Sequence, residues 1–429
     1  MTVFLVLALL LTLIAMGLPV AVSLGLTSLV ALYWLFGWEA PVDVIAQRMY
    51  AGVNSFLLVA VPLFMLAGEI MNRSGATQRL FRFADALVGF LPGGLGHVNV
   101  AASFVFAGMS GSAAADAAGL GAIEIKAMRD KGFPMPFSIG LTAASSTVGP
   151  LVPPSIPMIV FGVASGTSIG GLFLAGVVPG VLICLLLSAM VLAWAKLKGL
   201  PAGAPFSFAT FGLALRDAML PLLTPVIVLS GIFGGMFTPT EASVVAVLYT
   251  SFLGVVVYRE ITLRDLVQIT TSVAREIAPL MLIVATAALF GYLIIRMGIP
   301  RELANLILGL TSNPTAILFL IVILLLVVGC FMETVSALII FTPLFMPMAV
   351  ESGISPFQLG VVMVMTLMIG VMTPPVGIVL FILSKVASAL IEVVFRAVIP
   401  FMLPLMAAVV LLVLVPQFST WLPEVFYGR

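Results

Sequence analysis

The amino-acid sequence predicts an all-α polytopic membrane protein made of two inverted repeats, each with a re-entrant hairpin and a broken helix. Three observations predict it. The 429 residues are 62% hydrophobic and only 8% charged, whereas a soluble domain is about 25% charged; so apolar a surface faces lipid. The apolar runs reach ~20 residues or more, enough to cross a ~30 Å hydrocarbon core as helix and longer than the alternating segments of a β-barrel. A Gly-x-x-x-Pro-Pro break also recurs, once in each half, at residues 149–154 and 370–375.

Along the chain, apolar blocks run roughly over 3–36, 49–71, 97–124, 135–165 and 171–195. A polar linker at 201–216 follows, and blocks resume at 218–258, 273–295, 303–349, 357–384 and 397–415. No Lys or Arg precedes Arg48, so the first block reads as a retained membrane segment and not a signal peptide. Adding 221 carries Gly108 to Gly329, Ser145 to Thr366, Gly149 to Gly370, Pro153 and Pro154 to Pro374 and Pro375, and Pro179 to Pro400. Repeat 1 therefore covers 1–200, with a hairpin at 97–124 and a broken helix at 135–165. Repeat 2 covers 217–429, with a hairpin at 315–349 and a broken helix at 357–387.

Basic residues set the orientation, because cytoplasmic loops collect Lys and Arg. Arg73, Arg79 and Arg82 precede the first hairpin, and Lys126, Arg129 and Lys131 follow it. A block that enters and leaves on one side is re-entrant. Threading the rest of the chain puts fourteen basic residues on the cytoplasmic side. Arg48, Arg296, Arg301 and Arg429 fall outside. The second hairpin then opens outward, the repeat is inverted, and both termini lie outside.

Function classes narrow quickly. A net charge of +1 gives no electrostatic case for nucleic acid. Cys184 and Cys330 sit inside apolar runs and read as small buried side chains. The single histidine, His97, excludes a His-rich metal centre. No Gly-x-x-x-x-Gly-Lys-Ser/Thr loop is present, so this chain is not expected to hydrolyse ATP, and an ion gradient is the expected source of energy.

The broken segments point to the cargo. A break within the membrane frees amides on one half-helix and carbonyls on the other. Lipid cannot satisfy them, but carbonyls suit a cation and amides a carboxylate. Four stretches have this composition: "FAGMSGSAAADAAGLG" at 106–121, "SSTVGPLVPPS" at 145–155, "GCFMETVSA" at 329–337 and "TLMIGVMTPPVG" at 366–377. Each hairpin tip with its neighbouring break offers a site for one Na⁺, and substrate fits between the tips. Substrate contacts are expected from Ser110, Gly111, Ser112, Ser155, Glu333 and Thr334. The helix breaks are expected at Pro150, Pro153, Pro154, Pro374 and Pro375. Intramembrane acids are functional candidates, here Asp116, Glu124, Glu241 and Glu333, whereas Glu69 lies near a block end. For Asp116, capping and ion binding both stay open. Arg296 and Lys385 read as headgroup contacts at block ends.

The run "GMSGSAAADAAGLGAIEIKAMRDKGFP", followed by "GLTAASSTVGPLVPPSIPMIVFG", "MFTPTEAS", "FMETVSALIIFTPLFMP" and "MTPPVGIVLF", resembles the large membrane subunit of tripartite ATP-independent periplasmic (TRAP) transporters over nearly the whole chain. The resemblance implies an elevator-type secondary transporter related to divalent-anion symporters, in the bacterial inner membrane. It implies Na⁺ as coupling ion, no organic cofactor, an organic acid as substrate, a periplasmic binding protein that delivers it, and a small four-helix membrane subunit as a separate chain. It places one sodium site on Ser110, Gly111, Ser112, Ser145 and Gly149, and the other on Gly329, Met332, Glu333, Gly370 and Thr373. A stand-alone Na⁺ or H⁺ symporter is the nearest alternative. "GMSG" at 108–111 also matches a rhomboid-type protease pattern, but that chemistry needs a histidine base from another helix.

Overall fold

In the computed structural model, residues 2–37, 41–374 and 377–428 are described. Among them every regular element is helical and no strand occurs. The first half holds α1 (Thr2–Ala15), α2 (Val20–Phe36), α3 (Asp43–Val53), α4 (Ala60–Arg73), α5 (Ala76–Val88), α6 (Gly94–Ser110), α7 (Ala113–Ala118), α8 (Leu120–Asp130), α9 (Met135–Ser146), α10 (Ile156–Ser165) and α11 (Ile169–Lys198). The second holds α12 (Phe208–Phe233), α13 (Pro239–Phe252), α14 (Leu263–Arg296), α15 (Ile299–Leu310), α16 (Pro314–Gly329), α17 (Thr334–Glu351), α18 (Pro356–Gly370), α19 (Ile378–Ala387), α20 (Ile391–Leu414) and α21 (Gln417–Tyr427).

Among the described residues, seven helical segments are long and apolar enough to cross a membrane, the longest being α11, α12, α14 and α20. Their outward faces carry bare apolar side chains such as Leu185, Leu248 and Leu403, which are 63%, 66% and 74% exposed. Such faces suit the hydrocarbon of a membrane or another apolar surface. Local chemistry sets the helix starts. Ser168 and Ser207 cap α11 and α12 through their hydroxyls, satisfying amides that the helix itself leaves free. Thr238 with Glu241, and Thr262 with Asp265, form capping boxes on α13 and α14.

Several bounds differ from those the sequence suggests. The linker is shorter than 201–216, because the Ser207 cap starts α12 at Phe208. The first apolar block is two helices, parted where Gly17 takes φ +87° just before Pro19. The outer arm of the first hairpin runs on through α8 to Asp130.

The 221-residue register recurs in the helix starts: α7 and α17 begin at Ala113 and Thr334, and α9 and α18 at Met135 and Pro356. The starts of α10 and α19, and of α11 and α20, agree to within one residue of it. Packing is reciprocal as well. Helix α9 lies on α20 while α18 lies on α11; α10 lies on α17 while α19 lies on α7; α2 lies on α14 while α13 lies on α4. Exchange of equivalent partners is the signature of an approximate two-fold relation. It brings both hairpin tips and both helix breaks to the wall of one cavity.

Candidate functional site

The first tip is the turn between α6 and α7. Gly111 ends α6 at φ +58°, in the left-handed region that a residue with a Cβ disfavours. Its carbonyl accepts a hydrogen bond from the Ile156 amide at 3.5 Å, and a Cβ there would run into the Pro154 carbonyl. The tip is thus seated on the first break. Ser110, the last residue of α6, is buried with its hydroxyl unpartnered. Ser112 caps α7, its Oγ accepting from the Ala115 amide at 3.4 Å.

The first break spans residues 147–155, between α9 and α10. It opens in tight turns: the amides of Val148 and Leu151 donate to the carbonyls of Ser145 and Val148, both at 3.0 Å. Pro150, Pro153 and Pro154 supply no amide, and the Pro153–Pro154 peptide is cis. Gly149 faces the Ser112 backbone at 3.5 Å, measured from the position its Cβ would take. Ser145 is fully buried, donates to the Thr142 carbonyl and accepts from the Ser103 hydroxyl, both at 3.2 Å. Ser155 caps α10 through the Met158 amide at 3.2 Å and donates to the Pro150 carbonyl.

The second tip and break repeat this plan with other chemistry. Helix α16 ends at Gly329, and Met332 is buried in the turn. Glu333 caps α17, its carboxylate accepting from the amides of Val335 and Ser336 at 3.0 and 3.3 Å. Thr334 is buried with its hydroxyl unpartnered. Gly370, at the end of α18, lies directly on Gly329: a Cβ on Gly370 would stand 2.5 Å from the Gly329 α-carbon. Thr373 donates to the Ile369 carbonyl at 2.9 Å, and Pro374 is exposed in the break. Pro375, expected to be part of this break, lies outside the described residues.

Both tips and both breaks meet in one cavity of about 300 Å³. Gly111 and Ser112 from the first tip, Glu333 and Thr334 from the second, and Pro150 and Val371 from the two breaks share its wall. Glu276 of α14 completes it. A neighbouring cavity of about 390 Å³ shares Met65, Ser112 and Glu276 and extends past Ser110 to Glu69 and Asn72. No Lys or Arg lines either cavity. Among the described residues no group of three or more His, Cys, Asp or Glu could hold a metal; the side-chain oxygens on this cavity wall are those of Ser112, Thr334, Glu276 and Glu333. Ser155 is fully buried and does not reach the cavity wall.

Other candidates sort by their contacts. Glu241 is an exposed capping residue, accepting from the Thr238 amide and hydroxyl at 2.8 Å each; the Thr-x-x-Glu spacing is the sequence signature of that role. Glu69 pairs with Arg73 at 2.9 Å. Cys184 and Cys330 are free. His97 is buried near the start of α6 and not at the surface. It stands roughly 20 Å from Ser110 at 1.5 Å per residue, too far to serve it as a base. The sequence marks Asp116 and Glu124 singly as candidates but does not show that they belong to a buried polar cluster with Asn99 and Thr142 beside the first tip. Asn99 donates to Glu124 and, at 2.8 Å, to Thr142; Asp116 lies alongside with the Ser103 hydroxyl next to it. Asn99 and Thr142 are 43 positions apart, so only the fold pairs them.

The family model described as "Tripartite ATP-independent periplasmic transporter, DctM component" matches residues 7–418. A sialic acid TRAP transporter large permease protein of Vibrio cholerae is 43% identical over 412 residues, 96% of each chain. A C4-dicarboxylate TRAP transporter large permease protein of Pseudomonas aeruginosa is 37% identical over 402 residues, 94% of each chain. Among solved structures, the YdaH transporter of Alcanivorax borkumensis superposes with a TM-score of 0.61 at 17% identity, covering 90% of this chain and 89% of that one. This last likeness concerns the fold.

Proposed function

This chain belongs to the DctM family, the large permease component of tripartite ATP-independent periplasmic transporters, and from that premise we propose that it imports a small organic acid across the bacterial inner membrane, coupled to Na⁺, by an elevator movement. The observation that carries the proposal is the single cavity walled by both hairpin tips and both helix breaks. Half-helix ends meet there, an arrangement that suits Na⁺ and a carboxylate together. One Na⁺ is held at Ser110, Ser112, Ser145 and Gly149, the other at Gly329, Met332, Gly370 and Thr373. Substrate sits between Gly111–Ser112 and Glu333–Thr334. Bound Na⁺ offsets the negative charge of Glu333 and Glu276, which would otherwise repel an anionic substrate.

With the basic loops on the cytoplasmic side, the mouth at Glu69 and Asn72 faces the cytoplasm, and the molecule is inward-open. The two halves form inverted repeats, both termini are periplasmic, and a scaffold containing α4 and α14 guides the moving tips. A periplasmic binding protein supplies the acid, and a small four-helix membrane subunit braces the scaffold. The relatives named for sialic acid and for C4-dicarboxylates bracket the class of cargo.

The test is uptake of labelled acids into proteoliposomes holding the membrane complex, with external Na⁺ varied and binding protein added or withheld. Uptake is expected only with both Na⁺ and binding protein. Uptake independent of Na⁺ overturns the coupling, and uptake without binding protein favours a stand-alone symporter.

A further inference from the structure

A second cavity, of about 580 Å³, lies further along the same helices. Helix α14 contributes Glu276 and Leu280 to the tip cavity and Val284 to Arg296 to this one. Helix α10 contributes Ile156 and Pro157 to the first and Val160 and Val163 to the second; α17 contributes Thr334 and Val335, then Ile339 and Pro343. On each helix the two linings are about one turn apart, so the cavities are separated by a plug roughly 5 Å thick. Arg296 lies twenty residues beyond Glu276, about 30 Å along α14.

The far end of this second cavity is basic. Arg48 of α3 and Arg296 of α14 both line it, and both address the Tyr292 ring, at 4.1 and 5.7 Å from its centroid. Their guanidinium carbons are thus at most about 10 Å apart, within about one screening length at 0.1 M salt. Among the described residues neither arginine forms an ion pair, and no acid lines the cavity. Two like charges are held at one ring with no counter-charge, beside apolar walls that strengthen their field.

We propose that Arg48 and Arg296 form an anion-holding vestibule, in which a small carboxylate rests on the two guanidinium groups one plug away from the tip cavity. An arginine fork matches a carboxylate in charge and geometry, and the tip cavity has no basic side chain to draw an anion in. The vestibule holds the acid on the periplasmic side until the tips move. Only this sidedness and the anionic cargo rest on the proposed function; the paired cations do not.

Arginine labelling with phenylglyoxal, read by mass spectrometry on the membrane complex in nanodiscs, tests the proposal. Succinate and sialic acid are the probes, each against chloride at equal ionic strength, and Arg301 is the internal reference. For whichever probe the vestibule accepts, at ten times its Kd, labelling of Arg48 and Arg296 falls about tenfold by mass action while Arg301 is unchanged. In an Arg48→Gln variant the protection of Arg296 is lost. Equal labelling of Arg48 and Arg296 in both probes and in chloride overturns the proposal. Protection given only by ligand-free binding protein also overturns it, because the arginines then dock a protein surface. The labelling needs no Na⁺ gradient, so protection with Na⁺-independent uptake would remove the coupling and leave the vestibule standing. Na⁺-dependent uptake without protection would do the reverse.

Discussion

The two hairpin tips share a register and differ in what fills it. Ser112 and Glu333 occupy equivalent N-cap positions, yet one offers a hydroxyl at 3.4 Å to a single amide and the other a carboxylate to two amides. Behind the first tip lie Asn99, Asp116, Glu124 and Thr142, all buried. The 221-residue register puts Leu320, Ala337, Phe345 and Met363 in their places. The crossing of tip and break differs too: Gly149 has ordinary contact room, whereas Gly370 is pressed against the Gly329 backbone. A duplicated frame has therefore kept its backbone turns and divided its chemistry, with buried polar groups behind one tip and, behind the other, apolar side chains of which Ala337, Phe345 and Met363 are buried and Leu320 is exposed.

The largest expected effect breaks this comparison at its crossing glycines. Gly370→Ala forces backbone apart and costs about 1–3 kcal/mol as overpacking, while Gly149→Ala stays within about 0.5 kcal/mol. Thermal unfolding of the purified variants measures both, and equal shifts would show that the crossings are alike. Next, Asn99→Leu leaves buried Glu124 without its amide donor and costs about 1–3 kcal/mol. The matching exchange at the second tip, Leu320→Met, is near neutral, because it sets one apolar side chain for another.

Smaller effects sharpen the comparison. Ser112→Ala, or Pro153→Ala with Pro154→Ala, weakens Na⁺-dependent uptake without loss of expression. Removing one hydroxyl ligand worth about 1.4 kcal/mol raises the half-saturating Na⁺ concentration about tenfold. Unchanged Na⁺ dependence in both variants would remove the first tip from the ion site. The smallest effect is expected from Glu241→Gln, which touches an exposed cap and should leave the Na⁺ dependence of uptake as it was.

How much of this is legible in the sequence depends on whether backbone or side-chain pairing carries it. Glycine and proline act locally, so the tips and breaks show directly in "GMSGS" and "GPLVPPS". The register shift works for the same reason, since both halves need the same turns. The Asn99–Glu124–Thr142 cluster does not show, because its members come from three helices and only packing unites them. Glu241 is legible locally, since an acid three residues after a threonine is a cap before it is an ion ligand. Arg296 reads as a headgroup contact at a block end, and it is exposed there; nothing in sequence joins it to Arg48, whereas in the fold both guanidinium groups lie against the Tyr292 ring.

The most direct measurement of the central claim, that both tips with their breaks hold Na⁺, is binding of radioactive Na⁺ to the purified membrane complex. Ser110→Ala with Ser112→Ala, and separately Thr373→Val, should each weaken part of the Na⁺ binding, and the three substitutions together should weaken all of it, by about tenfold for each hydroxyl removed. Undiminished binding in the triple variant, with the protein still folded, would contradict the account.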